Sequence, residues 1–511
     1  MSSSNCEKWR RIFGYKSTLV FWAQIRYDDA TVYDNKEREM IKMTVDEIVG
    51  VLNGIAWGPW MLLLLVGTGV YLTCRMGFLQ FREFGYAMKN TLGKVFQKSE
   101  AGEGEITPFQ AVSTALAATV GTGNIAGVTG AICVGGPGAV FWMWISAIFG
   151  MVTKYAEVVL AVRYRERNAQ GDWVGGPMYY IRSGLGRGFG WLASLFCILG
   201  ALAAFGIGNM TQVNTIATSI NTAIDAFGGS TGAHTVVLFG QTVPISSIVI
   251  GTVVSVVVML VHFGGIKRLG AVAEKMVPIM AAIYILASLM VVGSNIGSMG
   301  KVLVMIFKGA FSAEAALGGA FGITILTTIQ KGVGRGVFSN EAGLGSAPMA
   351  HAASSERDPV KQGLYGIFEV FMDTIVICTL TALTLLCGAG DQIVWGQSAG
   401  VELIAASFGT VFGGKTGAMI VAVGITLFAL STILSWSLYG TRCFEFLTGG
   451  RGVKAYQTVF VIVVVIGATL KLDLVWNIAD TLNGFMAVPN LVALLGLSGV
   501  VIRLTKEHFA R

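Results

Sequence analysis

The chain has 511 residues, of which 54% are hydrophobic and only 13% charged. A soluble domain carries about 25% charged residues, so this composition excludes an ordinary water-soluble domain and points to an all-α polytopic protein of the lipid bilayer. The net charge of +7 then needs no nucleic-acid partner, because Lys and Arg gathered on one membrane face account for it.

In chain order, residues 1–53 are polar and charged and contain no signal-peptide apolar region. "MTVDEIVGVLNGIAWGPW" from Met43 is a natural alternative start, which leaves residues 1–42 as a tail. Eleven candidate spans follow, at about 55–75, 108–134, 138–161, 189–218, 244–262, 272–293, 302–330, 361–387, 416–440, 455–470 and 474–502. The first is a leading span, and the other ten are numbered 1 to 10. Residues 506–511 form a short tail.

Basic residues alternate with the spans. Arg75, Arg82, Lys89, Lys94 and Lys98 follow the leading span; Arg163, Arg165, Arg167, Arg182 and Arg187 follow span 2. Lys267, Arg268, Lys331, Arg335, Arg357, Lys361, Arg442, Arg451, Lys454, Arg503, Lys506 and Arg511 continue the same side, against only Lys301, Lys415 and Lys471 on the other, the N-terminal tail apart. The asymmetry predicts a multi-pass protein of the cell membrane, with its N-terminus outside and its C-terminus in the cytoplasm.

Spans 1–5 (108–293) and 6–10 (302–502) then enter the bilayer from opposite sides, as two inverted five-helix blocks. Each block opens on a glycine-interrupted stretch, "TVGTGNIAG" in span 1 and "AALGGAFGIT" (315–324) in span 6. Paired interruptions in two inverted halves point to a transporter's central binding site, so 54–505 reads as one transporter domain. Glycine costs a helix interior about 1 kcal/mol relative to alanine. A break also frees backbone groups that lipid cannot satisfy. An amino-acid zwitterion suits such a site: the N–H groups near Thr122 and Gly123 attract its carboxylate, and freed carbonyls accept from its ammonium. Sodium wants several hard oxygens, which carbonyls and hydroxyls supply. The bland alternative, close helix packing, fits Gly127 and Gly130 better.

Span 8 carries adjacent hydroxyls, Ser431 and Thr432, in "GITLFALSTILSWSLYG". Taken alone they are most simply read as bonding back to the carbonyl one turn earlier. Within the spans, Lys154 and Glu157 are three residues apart, which predicts an ion pair on one helix face. Glu369 and Asp373 stand one turn apart in span 7, where like charges repel unless one is protonated or meets a cation. Glu314, Lys308 and Asp480 also lie in or near spans. Cys6, Cys74, Cys133, Cys197, Cys378, Cys387 and Cys443 form no C-x-x-C and read as small core residues. No H-E-x-x-H or paired-acid motif supports an intramembrane enzyme.

Five stretches carry a family resemblance: "ATVGTGNIAGV", "GGPGAVFWMW", "GMVTKYAEVVLAVRYR", "GGPMYYI" and "RGVFSNEAGLGSAPMAHAA". The chain resembles the alanine or glycine:cation symporters, the sodium:alanine symporters, over about residues 50–505. That resemblance implies the superfold of the sodium:neurotransmitter symporters, and a non-enzymatic, sodium-coupled symporter of alanine or glycine, expected to be a monomer. "TVGTGN" is similar to the "AVGLGN" of bacterial neurotransmitter-symporter relatives. Carried over by position, the resemblance implies a sodium site of the carbonyls of Ala117, Val120 and Phe428 with the hydroxyls of Ser431 and Thr432. It implies substrate contacts at Thr119, Thr122 and Gly123, and at Gly318, Gly319 and Phe321 of span 6, with Phe321 as a possible pocket wall. Asn124 fits a second sodium site but finds no evident partner ligands in the sequence. Proton coupling through Glu369 or Asp373, and a channel, are the competing readings.

Overall fold

The structure, a computed structural model, describes residues 45–94, 101–238, 241–312, 323–397, 400–470 and 473–510. The polar tail before residue 45 and the span 6 residues Glu314, Gly318, Gly319 and Phe321 lie outside the described residues.

Helices account for nearly all of the architecture, as the composition predicts. They are α1 (Val45–Ala56), α2 (Pro59–Arg75), α3 (Pro108–Thr119), α4 (Val128–Gly135), α5 (Ala139–Arg163), α6 (Gly190–Phe205) and α7 (Thr211–Ala226). Then come α8 (Ile245–His262), α9 (Gly265–Ser294), α10 (Ile296–Phe311), α11 (Ile325–Asn340), α12 (Pro359–Val370), α13 (Thr379–Gly388) and α14 (Val401–Phe412). The series ends with α15 (Gly414–Thr448), α16 (Val453–Thr469) and α17 (Asp473–Phe509). The strands are two short hairpins, Glu166–Arg167 with Trp173–Val174 and Thr235–Leu238 with Gln241–Pro244.

Among the described residues, eight helices are long and apolar enough to span a membrane, and the bent pair Pro108–Thr119 with Gly123–Gly135 makes a ninth. Span 1 is therefore a broken helix, with its halves at 51°. Span 9 is the shorter apolar helix α16. Span 6, drawn at 302–330 with an interruption at 315–324, covers two helices, and residues 313–322 between them lie outside the described residues. Its first part belongs to α10, and α11 starts only at Ile325. Hydropathy merges the two because both helices are apolar and their junction carries few charges.

The ends of α3 explain themselves. Thr107 caps it, Pro108 occupies the first turn, and Gln110 closes the capping box. Glu105, just before it, accepts from the Trp173 indole at 2.8 Å and from Arg357 at 2.5 Å. Burial pushes the Glu105 carboxyl up, but Trp173 and Arg357 together hold it below the usual carboxylate value. At the other end, Val120 leaves helical geometry at φ −79°, ψ 85°.

Helix α5 is central: 83% of its most apolar window is buried, against 33% for the lipid-facing α9. Glycines let α11 approach it closely. A Cβ on Gly336 would fall on the Ser146 hydroxyl and the Met143 backbone of α5, and one on Gly332 would meet Ala139 and Trp142.

Gly336→Val should therefore cost about 1–3 kcal/mol of folding stability by overpacking. Thermal unfolding of the purified protein should register it, whereas Gly85→Ala, with open space at its Cβ position, should be neutral.

Candidate functional site

The site is organised by two interruptions of helical backbone. The first runs from Val120 to a π-helical turn at Gly123–Gly127. Its freed groups are met by side chains. Gly121 N–H donates to the Asn124 side-chain oxygen at 2.9 Å, and Asn124 N–H returns to the Gly121 carbonyl at 3.2 Å. The Thr122 hydroxyl donates to Gln212 Oε1 at 3.0 Å.

The second interruption follows α11. Glu341 has φ +54°, a left-handed conformation that non-glycine residues rarely adopt. Gly343 and Gly345, at φ +91° and +83°, complete the turn that leads to the short helix Pro348–His351. Both glycine N–H groups donate to Glu157 Oε1 at 3.1 Å, and Asn490 Nδ2 adds a third bond at 2.5 Å. This turn lies in "SNEAGLGSAP", about twenty residues beyond the interruption expected at 315–324. It is the described segment that meets the first break.

Between the interruptions lies a small internal cavity of about 20 Å³, lined by Thr119, Gly121, Gly123, Gln212, Ser339, Glu341, Thr432 and Trp436, among others. Of the expected substrate contacts, Thr119 and Gly123 line it, and Thr122 lines a much larger cavity of about 720 Å³ on the other side of Phe338. Phe338 and Gly123 border both cavities. Phe338 thus stands as an aromatic wall, with the Arg335 guanidinium stacked 4.7 Å from its ring centre. Gly123 and Gly127 face these two side chains, and a Cβ on Gly127 would lie 2.5 Å from Arg335. Gly127 is therefore a close-packing glycine, as expected.

Helix α15 closes the opposite side. Ser431 donates to the Phe428 carbonyl at 2.8 Å, and Thr432 donates to the same carbonyl at 3.0 Å. The back-bonding read from the sequence is present. Thr432 also reaches across to the Ala118 carbonyl at 3.2 Å, and a Cβ on Gly121 would stand 2.5 Å from its hydroxyl. Gly121 is needed because α15 presses a hydroxyl onto the break. Ala117, Val120, Phe428, Ser431 and Thr432 are all buried at this contact between α3 and α15.

Asn124 finds the partners that the sequence did not reveal. Its Nδ2 donates to Asp373 at 2.6 Å and to Ser339 at 2.8 Å, while Ser339 and Thr374 donate to Asp373 at 2.7 and 2.8 Å. The carboxylate thus joins the first break, the end of α11 and the π-helical turn Phe371–Cys378. Glu369, one turn earlier, does not face it as a repelling twin. Lys154 sits 3.3 Å from Glu369 Oε1, and His351 lies 3.2 Å from its other oxygen. The expected Lys154–Glu157 pair is therefore replaced. Helix α12 packs along α5 and offers Lys154 a carboxylate, while Glu157 turns to the Gly343–Gly345 loop. Asp480 accepts from Asn53 at 3.2 Å and borders the larger cavity. Among the described residues, no group of three His, Cys, Asp or Glu forms a metal cluster.

Sequence reasoning missed Gln212, Ser339, Glu341 and Trp436. For Ser339 and Glu341 the signal was available in "SNEAGLGSAP", where an amide and an acid precede two closely spaced glycines inside a hydrophobic protein.

The model of the sodium:alanine symporter family matches residues 42–511. The sodium/alanine symporter AgcS of Methanococcus maripaludis is 47% identical over 463 residues, covering 90% of this chain and 96% of the relative. An uncharacterized transporter of Haemophilus influenzae is 45% identical over 471 residues, covering 92% and 97%. Among solved structures, MhsT in complex with L-phenylalanine superimposes with a TM-score of 0.55 at 12% identity, over 79% of this chain and 98% of that one. This last likeness is one of fold.

The Lys154–Glu369 pair is fully buried. Lys154→Met should strand a carboxylate and cost about 3–5 kcal/mol. Adding Glu369→Gln should recover much of that loss, read as the thermal midpoint of the two purified variants.

Proposed function

The chain belongs to the sodium:alanine symporter family, and from that premise we propose that it takes up alanine or glycine with sodium into the cytoplasm by alternating access. The protein is a multi-pass membrane transporter, not an enzyme. The single observation that carries the mechanism is the Thr432 hydroxyl lying 3.2 Å from the Ala118 carbonyl. It brings two adjacent hydroxyls of α15 onto the unwound end of α3, where a hard cation finds oxygens without a second full charge.

In this reading, sodium is held by the carbonyls of Ala117, Val120 and Phe428 and the hydroxyls of Ser431 and Thr432. A hydroxyl that donates to a carbonyl keeps its lone pairs for a cation. The amino acid lies between the two interruptions. Its carboxylate faces the positive end of the second half of the broken helix, near Thr122 and Gly123. Thr119 lines the same space. With the N-terminus outside, the 720 Å³ cavity opens outward, and the 20 Å³ cavity beneath Phe338, room for about one water, is the closed site, which has to widen to take an amino acid. Phe338 serves as one wall of the pocket. Gly318, Gly319 and Phe321 remain candidates on the strength of the resemblance alone.

Proton coupling has less support. Glu369 is engaged by Lys154 and His351, and Asp373 by Asn124, Ser339 and Thr374.

Two outcomes test this reading. In proteoliposomes, labelled alanine and glycine should enter with sodium, while leucine and phenylalanine should compete poorly. Leucine matching alanine in affinity would contradict a small walled pocket. Ser431→Ala with Thr432→Val should abolish the sodium response while the protein still reaches the membrane. Coupling between two ligands is reciprocal, so this double variant should also bind alanine weakly, with no tightening on added sodium. Equilibrium binding of labelled alanine, titrated with sodium, measures it.

A further inference from the structure

We propose that the Glu341 carboxylate is the counter-charge for the substrate's ammonium group, and that it makes the pocket select amines over otherwise identical acids. The inference rests on the reading of the internal cavity as the amino-acid site.

Glu341 stands where α11 unwinds, and its left-handed backbone turns the side chain into the space between the two interruptions. Only 4% of the residue is exposed. The Trp436 indole donates to one carboxylate oxygen at 3.0 Å and the Ser346 hydroxyl donates to the other. A carboxylate offers about four acceptor positions, so two neutral donors hold it in place without saturating it.

No cation among the described residues forms an ion pair with Glu341. Lys154 is committed to Glu369, and Arg335 is stacked on Phe338. The other polar side chains lining the cavity, Thr119, Gln212, Ser339, Thr432, Trp436 and Asn483, are neutral. A buried charge without a partner is costly and is retained where a ligand supplies the opposite charge. An amino acid does so in the right order. Its carboxylate goes to the positive helix end at Thr122 and Gly123, which leaves its ammonium for the opposite wall. Sodium, a zwitterion and one carboxylate also sum to zero charge, so the loaded site is neutral.

The test compares L-alanine with L-lactate, which replaces the ammonium with a hydroxyl and keeps the rest. Calorimetry on the purified full chain in sodium should show wild type preferring alanine roughly 100-fold or more, since a site built for a polar group rejects the analogue that lacks it. Glu341→Gln should cut that preference at least tenfold, chiefly by weakening alanine. A purely structural Glu341 would weaken both ligands alike and leave the ratio unchanged, which overturns the proposal. So does a wild-type protein that binds lactate as tightly as alanine, a result that needs no variant to fold. If Glu341→Gln instead lowers sodium affinity measured without substrate, at an unchanged ratio, the carboxylate serves the ion and the proposal fails. Wild-type protein that binds no alanine with sodium would bring down the reading of the pocket itself, a different result from any of these.

Discussion

A helix that unwinds inside a membrane exposes backbone groups that lipid cannot hydrogen-bond, and this constraint organises the molecule. The structure answers it twice in the same way. Each interruption has its own asparagine: Asn124 bonds the Gly121 N–H, and Asn340 bonds the Ala342 N–H at 2.9 Å. Each is then anchored by a group from another helix. Gln212 of α7 serves the first, and Glu157 of α5 serves the second. Asn124, Gln212, Asn340 and Glu157 thus gather where backbone has been released.

The buried charges follow from that arrangement. Glu157 uses one oxygen for three donors, two of them from glycines that only a left-handed turn could present. Asp373 accepts from the first break, from the end of α11 and from Thr374. Lys154 neutralises Glu369, which also holds His351. Charge-assisted bonds of this kind are stronger than neutral ones. They also confine the carboxylates to defined positions.

The legible part of the sequence was the part written locally. Span periodicity, the loop charges and the glycine cluster at Gly121 and Gly123 each act within a short window. The α15 hydroxyl pair and the break of span 1 were placed correctly because a glycine and a hydroxyl in an apolar helix are visible without knowing any neighbour. The second interruption was not legible in the same way. The apolar run at 302–330 takes in the end of α10 and the start of α11, and the interruption expected at 315–324 lies almost wholly outside the described residues. The turn at Glu341 hides among charged and polar letters that resemble a loop. The Lys154 pairing failed for a related reason. Spacing of three favours Glu157, but α12 packs against α5 and supplies Glu369 at 3.3 Å. Contacts between helices distant in sequence decide buried ion pairs, and a single sequence does not contain them.

The anchoring also limits how the site can rearrange. Asn124 belongs to the broken helix, Ser339 to α11 and Asp373 to the turn after α12, and their side chains meet within 2.6 to 2.8 Å. Moving the second half of the broken helix relative to α12 would break bonds to a buried carboxylate, each worth about 1.5–3 kcal/mol. Moving it together with both α11 and the α12 turn breaks none of them. The contact with α15 is made by separate donors: Thr432 to the Ala118 carbonyl at 3.2 Å, Ser435 to the Thr114 carbonyl at 2.8 Å and the Trp436 indole to Glu341 at 3.0 Å. The two interruptions and the α12 turn are therefore joined as one body, and α15 meets that body through hydroxyl and indole donors, where the sodium oxygens are proposed to lie. An ion bound there would add coordinating contacts to these bonds, so its binding energy would fall on the interface between α15 and the broken helix.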